Sequence, residues 1–309
     1  MSADFGVESV EKPARFEGGG TKVALNWLGG DWFRWGRVGF MALGCVLAGL
    51  GLRFENLTQC LVSGRLYFVD ADCYSRMTRA RMVSEAPGRV IHHQTFENWP
   101  EGVWSHATAP MDYLIVGLER VVRWGWPRSG RFSELGRESL DVAGALVSPL
   151  LGLGLVAFVF LWAAGLRRAD GRRLSGWWMA PVLAAVGPAL VHATRFGRPD
   201  HQSLLVVLLG VALGSEQRMG MALSRGWAVV GGLAWGGALW VSLFEPVVLL
   251  GATCVLGCAL GGRAWMNRKR AWWALSLGGM VGGAYAVEGL PAILPAVEWT
   301  EVLMRWGGP

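Results

Sequence analysis

Asp70-Ala71-Asp72 and, far along the chain, Arg198-Pro199-Asp200-His201-Gln202 hold the residue types most able to do chemistry. Their carboxylates are hard oxygen donors of the kind that bind Mg2+ or Mn2+. In the second stretch a carboxylate, an imidazole and an amide stand in a row, with the guanidinium groups of Arg195 and Arg198 beside them to hold phosphate oxygens bidentately. A plainer reading exists for each acid. Asp is favoured at helix N-termini, so Asp70 and Asp72 can simply open one helix and Asp200 another. The functional reading requires both stretches to reach one water-facing surface, because a carboxylate beside lipid is costly.

The elements that must bring them together are membrane helices. A chain of 309 residues that is 52% hydrophobic and 17% charged, with a mean hydropathy of +0.34, is too apolar for a soluble domain. Its 45 glycines allow close helix packing and its 18 tryptophans suit the membrane interface. The net charge of +6 does not point to nucleic acid, since the basic residues sit in short loops beside apolar runs. With about 20 apolar residues needed per crossing, about seven spans are expected. They are residues 36–52, 141–166, 177–194, a fourth from His201 to 214 or on to Leu223, 227–244, 246–262 and 272–294. Residues 1–35 are expected to form a flexible cytoplasmic tail with no cleavable signal pattern, and 36–309 the membrane domain.

Arginines orient these spans. Arg34 with Arg37, Arg167 to Arg173, Arg218 with Arg225, and Arg263 with Arg268, Lys269 and Arg270 fall in alternate loops. Placing all of them inside puts the N-terminus in the cytoplasm and opens 53–140, 195–202 and the Glu245 turn to the outside. Both acidic stretches then face the extracytoplasmic side of a cell membrane. Within the long outer loop 53–140, residues 72–86 place Tyr74, Met77, Ala80 and Met82 at helical spacing, with Arg76 and Arg79 among them. This predicts an amphipathic helix on the membrane surface whose arginines touch headgroups, stopped at Pro87-Gly88. Residues 111–126 predict a second helix, re-entrant or interfacial. Cys45, Cys254 and Cys258 read as packing residues. Cys60 and Cys73 read as free thiols, with a disulfide in an oxidising compartment as the alternative.

Three motifs, in order, resemble a known family. Asp70-Ala71-Asp72-Cys73-Tyr74-Ser75-Arg76, then Asn98-Trp99-Pro100-Glu101-Gly102 running on to Ala109-Pro110-Met111-Asp112-Tyr113, is similar to the first outer loop of the oligosaccharyltransferase catalytic subunit of bacteria and archaea. Gly197-Arg198-Pro199-Asp200-His201-Gln202 resembles that family's Gly-x-x-Asp-His-His or Asp-x-Glu element. Trp235-Gly236-Gly237-Ala238 and Trp240 resemble its fifth spanning segment. The likeness covers roughly residues 36–260.

It implies an all-α polytopic membrane protein of GT-C type, a transmembrane bundle whose long first outer loop carries amphipathic helices. The implied activity is that of a membrane glycosyltransferase. A glycan would leave a polyprenyl (di)phosphate donor for an acceptor, such as a protein, on the extracytoplasmic face, with Mg2+ or Mn2+ bound. By the same resemblance Asp72, or else Asp70, matches the first-loop aspartate that binds metal and orients the acceptor, and Asp200 matches the second-loop ligand. Gln202 stands where the family has His or Glu. An amide ligates only through its neutral carbonyl, which leaves His201 as the alternative ligand. Arg195, Arg198 and Glu245 are the remaining candidates for contacting the donor. The family's C-terminal domain, with its Trp-Trp-Asp-Tyr-Gly element, has no counterpart in this sequence. A truncated member, one completed by an additional subunit, or a diverged transferase with a different acceptor is therefore expected.

Two other classes stay open. A non-catalytic scaffold of the same fold would explain Gln202. A lipid or solute transporter would suit the glycine-rich helices and the acids Glu245 and Glu288, although transporters usually bind near the midplane between repeated halves and no repeat is visible. His92, His93 and His106 read as surface histidines, and His192 as a residue that either faces the site or packs against a neighbour.

Overall fold

A computed structural model describes residues 22–104, 108–125, 139–166, 174–221, 225–265 and 268–293. The expectations placed on residues 1–21, His106, the arginines at 167–173 and the tail end of the last span lie outside those residues. The chain is helical almost throughout. Helices α1 (Lys22–Arg53) and α2 (Leu57–Cys60) lead into an antiparallel hairpin of β1 (Leu61–Val62) and β2 (Arg65–Leu66). Then come α3 (Ala71–Glu85), a second antiparallel hairpin of β3 (His93–Gln94) and β4 (Val103–Trp104), α4 (Pro110–Gly125) and α5 (Ser139–Ala164). The rest is α6 (Met179–Val186), α7 (Pro188–Ala193), α8 (His201–Met221), α9 (Gly226–Val241), α10 (Phe244–Trp265) and α11 (Arg268–Ile293).

Two compact units divide the chain, Met1–Leu43 and Gly44–Pro309, and the contacts below all belong to the second. With no proline between Lys22 and Arg53 to stop it, α1 starts at Lys22, so residues 22–35 are helical where a flexible tail is expected. Two helical segments, Gly36–Cys60 and Ser139–Ala164, are long and apolar enough to cross a membrane, and Gly226–Val241 and Phe244–Leu260 are shorter apolar helices.

The expected span over 177–194 is not one helix. It breaks at Gly187, between α6 and α7, because Pro188 has no N–H to give the carbonyl of Ala184. Arg53 fills that gap. Its fully buried guanidinium donates to the carbonyls of Ala184 (3.2 Å), Ala185 (2.9 Å) and Gly49 (3.0 Å), and to Thr194 Oγ1 (2.8 Å). α5 passes close enough that a Cβ on Gly152 would strike both the Arg53 guanidinium and the Thr194 side chain. On the other side of the bundle, Gly232 and Gly236 turn the same face of α9 toward α11, where a Cβ would meet the Trp273 carbonyl, Ser276, Leu277 and Met280. Small residues four apart are what lets two membrane helices approach this closely.

α3 forms where the periodicity places it, but not on a surface. Asp70, in extended conformation, caps it by accepting from the Cys73 N–H at 3.0 Å, and Asp72 sits favourably in the first turn. One face buries Cys73, Met77, Ala80 and Val83 in a core shared with Ile91, Met111, Ile115 and Val116. Side chains of Met77's size contribute about 1.5–3 kcal/mol each when fully buried. The arginines expected at lipid headgroups are buried instead. Arg76 and Arg79 pair with Asp112 of α4, which is itself 1% exposed. A charged helix becomes an interior one because a carboxylate from another helix pairs with both of its buried guanidinium groups. Cys60 and Cys73 are buried free thiols.

An unsatisfied buried carbonyl costs about 1–3 kcal/mol. Arg53→Met, which orphans those of Ala184 and Ala185, should therefore lower stability by about 2–5 kcal/mol in thermal unfolding of the detergent-solubilised chain. Gly152→Ala should destabilise it in the same assay, by displacing the same guanidinium.

Candidate functional site

The two acidic stretches are joined by the loop between α7 and α8. Phe196 N–H donates to the carbonyl of Arg53 (2.8 Å), and Asn56 Nδ2 donates to that of Phe196 (2.8 Å). Gly197 N–H donates to the carbonyl of Ala145 (3.1 Å), and Val69 N–H donates to that of Gly197 (3.1 Å). Gly197 has φ of +73°, and a Cβ there would press on Cys60 Sγ, so both conformation and space require glycine. The Ser148 hydroxyl bonds the Arg198 carbonyl and lies 2.9 Å from the Ser203 hydroxyl, which donates to the carbonyl of Asp200 (2.8 Å). The loop is thus pinned to α1, α5 and the approach to α3. That puts Asp72 and Asp200 on one cavity of about 280 Å3.

α3 lines the cavity with Asp72, Ser75, Arg76 and Arg79, and the start of α8 with Asp200, His201 and Gln202, next to Arg198. The positions on α3 follow i, i+3, i+4, i+7, one stripe of a helix. Gln94, Glu97 and Val103 of the second hairpin close it. Ser75 Oγ donates to Glu97 Oε1. Asp72 and Gln202 are exposed, whereas Asp200 is 8% exposed. Asp200 is bonded by His201 Nδ1 (2.7 Å) and paired with Arg198 (3.5 Å). Arg198 also donates to His192 Nε2 (2.7 Å), so His192 faces the site by way of that arginine. Burial alone would raise the Asp200 pKa. The hydrogen bond and charge of His201, the charge of Arg198 and the Gln202 N–H outweigh it and hold the carboxyl below its ordinary value.

Of the residues singled out in the sequence, Asp72, Arg198, Asp200, His201 and Gln202 line this one cavity, while Asp70, Arg195 and Glu245 do not. Asp70 serves as the α3 cap, Arg195 is half-buried in the loop, and Glu245 is exposed at the start of α10, where it accepts from the Ser242 hydroxyl. The Nδ1 of His201 is committed to Asp200, which leaves only its other ring nitrogen for a ligand. Glu288 is an interhelical contact. Its carboxylate accepts from Trp240 Nε1 (2.8 Å) and from the Ala109 N–H (2.9 Å) ahead of α4. Sequence reasoning missed Glu97, Gln94 and Ser75 as cavity residues. The polar stripe on α3 was a legible signal for Ser75; a short hairpin gives no periodicity from which to find the other two.

Among the described residues no three of His, Cys, Asp and Glu converge on one point as a metal cage. The cavity's uncommitted donors are nevertheless carboxylate and amide oxygens, from Asp72 and Gln202 beside Asp200. That chemistry fits a hard divalent cation and not a thiolate-loving one.

Among solved structures, the chain is similar to the oligosaccharyltransferase of Archaeoglobus fulgidus. Against the apo form the TM-score is 0.61 at 19% identity, covering 84% of this chain and 30% of the other. Against its complex with Zn and sulfate the TM-score is 0.59 at 18% identity, covering 81% and 31%. The oligosaccharyltransferase AglB from the same organism, in complex with an inhibitory peptide and a dolichol-phosphate, gives 0.59 at 17% identity, covering 88% and 35%. The chain carries the oligosaccharyltransferase fold. It spans about a third of the length of those solved chains. The fold is the one the motifs suggest, and with two helices fit to cross a bilayer it marks a membrane protein. No family model and no curated protein matches the sequence.

A depressed folded pKa means that the Asp200 carboxylate contributes its stability fully above the ordinary value of 3.8, and that the contribution is lost as pH falls through the lower folded value. Thermal stability of the wild type should therefore drop more steeply below about pH 4 than that of Asp200→Asn. Parallel slopes in an acid titration would contradict the His201 and Arg198 pairing.

Proposed function

We propose that this chain is the membrane part of a glycosyltransferase of oligosaccharyltransferase type. It would move a glycan from a polyprenyl (di)phosphate donor to an acceptor, such as a protein, on the extracytoplasmic face. The observation that carries the reading is that Asp72 and Asp200, from segments more than a hundred residues apart in sequence, line one cavity on the oligosaccharyltransferase fold. The arginine-flanked loops support the reading that this cavity would open outside, in a bundle of about seven crossings with a cytoplasmic N-terminus. Relatives in fold have been solved with Zn and sulfate, and with a dolichol-phosphate and an inhibitory peptide, which supports a divalent ion, a lipid phosphate and a peptide acceptor as ligands here.

A glycan leaving a phosphate needs its departing oxygens neutralised more than it needs covalent help. Arg198 is held for that task by His192 and Asp200, with Arg195 and Glu245 further out as contacts for the rest of the donor. Asp72, exposed at the rim, orients the acceptor and takes its proton. Asp200, held by His201 and Arg198, keeps its negative charge for the cation. Asp72, Asp200 and the Gln202 carbonyl would hold Mg2+ or Mn2+, with the free ring nitrogen of His201 as a further ligand. When bound, that ion supplies Lewis-acid stabilisation of the leaving oxygens.

Gln202 also favours a second reading, a non-catalytic scaffold, because an amide faces the cavity where a charged ligand would bind an ion more tightly. Calorimetry with Mn2+ separates the two, since a scaffold need not bind it. For the transferase, Asp200→Ala and Asp72→Asn in the full chain, supplied with a polyprenyl diphosphate-linked glycan, should each cut donor consumption about a hundredfold or more. Turnover equal to wild type in both variants would reject the site.

A further inference from the structure

Arg76 has a side chain only 6% exposed, yet it lines the cavity. Among the described residues its partners are all reached through one nitrogen: Nη1 bonds Asp112 Oδ1 at 2.9 Å and the Thr108 carbonyl at 3.2 Å. A guanidinium carries five N–H donors, and among the described residues Nε and Nη2 of Arg76 make no hydrogen bond. One turn on, Arg79 is fixed by Asp112 Oδ2 (3.0 Å from Nε) and by the carbonyl of Ile91 (2.8 Å), and it lines the same cavity. Two cations on successive turns of one helix repel each other unless anions stand beside them. Asp112 stands on the α4 side. The open side is the cavity.

We infer that Arg76, with Arg79 beside it and Asp112 as the residue that positions both, forms an oxyanion subsite in the inner wall of the cavity, built for phosphate oxygens. Asp72 and Gln202 lie at the exposed rim of the cavity and Glu97 is half-buried, while Arg76 and Arg79 lie deeper, alongside the buried Asp200, where low polarity strengthens a charge-assisted hydrogen bond. The pre-positioned Nε/Nη2 fork of Arg76 binds such oxygens with little ordering cost, and Arg79 adds its charge beside it. Asp112 does not touch the anion. It holds the forks at the right angle, and its removal would leave two buried cations unpaired. The identity of the anion as the donor's phosphate rests on the proposed transferase reading; the subsite itself does not.

The test is binding, read without turnover. The full chain in nanodiscs is titrated with inorganic pyrophosphate by calorimetry, and thermal stability is followed for every variant. Arg76→Met should weaken pyrophosphate at least about tenfold, and Arg76→Lys by less, because an ammonium keeps the charge but loses the fork. An Arg76 that serves structure alone would lower the unfolding temperature and leave the affinity of the folded protein unchanged, which overturns the proposal. Arg76→Lys guards against a misfolded Arg76→Met: if it folds normally and binds pyrophosphate as the wild type does, the subsite is refuted. In a second arm, nanodiscs carrying polyprenyl diphosphate should compete with pyrophosphate. Arg76-dependent binding without that competition sustains the subsite and assigns it to free phosphate. Arg76-dependent binding in a wild type that transfers no glycan sustains the subsite and sinks the transferase reading.

Discussion

A single backbone hydrogen bond, from the N–H of Val69 to the carbonyl of Gly197, joins the two halves of the cavity. On one side of it the chain turns into the Asp70 cap and α3; on the other it runs through Arg198 into Asp200 and α8. Everything nearby keeps that contact in place. Phe196 and Gly197 are bonded to α1 and α5, the Ser148 and Ser203 hydroxyls hold the turn before α8, and Cys60 fills the space above a glycine that admits no side chain. A net contribution of about 1 kcal/mol per hydrogen bond is modest. Their convergence on one short loop fixes the relative positions of two acids that sequence separation leaves independent.

Two buried charge systems stabilise the scaffold around this joint in different ways. Among the described residues Arg53 has no acid partner. It is solvated by three carbonyls and a hydroxyl, which lets a helix break inside the bundle without leaving orphaned oxygens. Arg76 and Arg79 share the one carboxylate of Asp112, and removing one member of such a buried set costs about 3–5 kcal/mol. The first ties the end of α1 to α6 and the loop after α7, and the second ties α3 to α4.

Much of this was written in local sequence. The cap, the polar stripe and the stop at Pro87 put α3 within a residue of its place, and the start of α8 at His201 follows from the polar turn before it. Between the two aspartates only backbone geometry decides: Asp70 is spent on the Cys73 N–H, and Asp72 is left to face the cavity. The setting of α3 could not be read locally. Its arginines look solvated until Asp112, 36 residues after Arg76, is known to lie against them. The break of the third span had a visible cause in Gly187-Pro188, but the donor that makes the break tolerable sits on α1, 131 residues before the carbonyl it serves. Residues from a short hairpin, such as Glu97, carry no period at all.

The pairing of α9 with α11 through Gly232 and Gly236 has a mechanical consequence. With backbone against side-chain base, these helices cannot slide or roll past each other without collision, so they act as one stiff beam. α10 lies between them in sequence, yet its outer flank, from Phe244 through Val248 to Leu260, is bare. Compliance in this half of the molecule is therefore concentrated in α10, while the beam, through Trp240 and Glu288, holds the chain entering α4 in place.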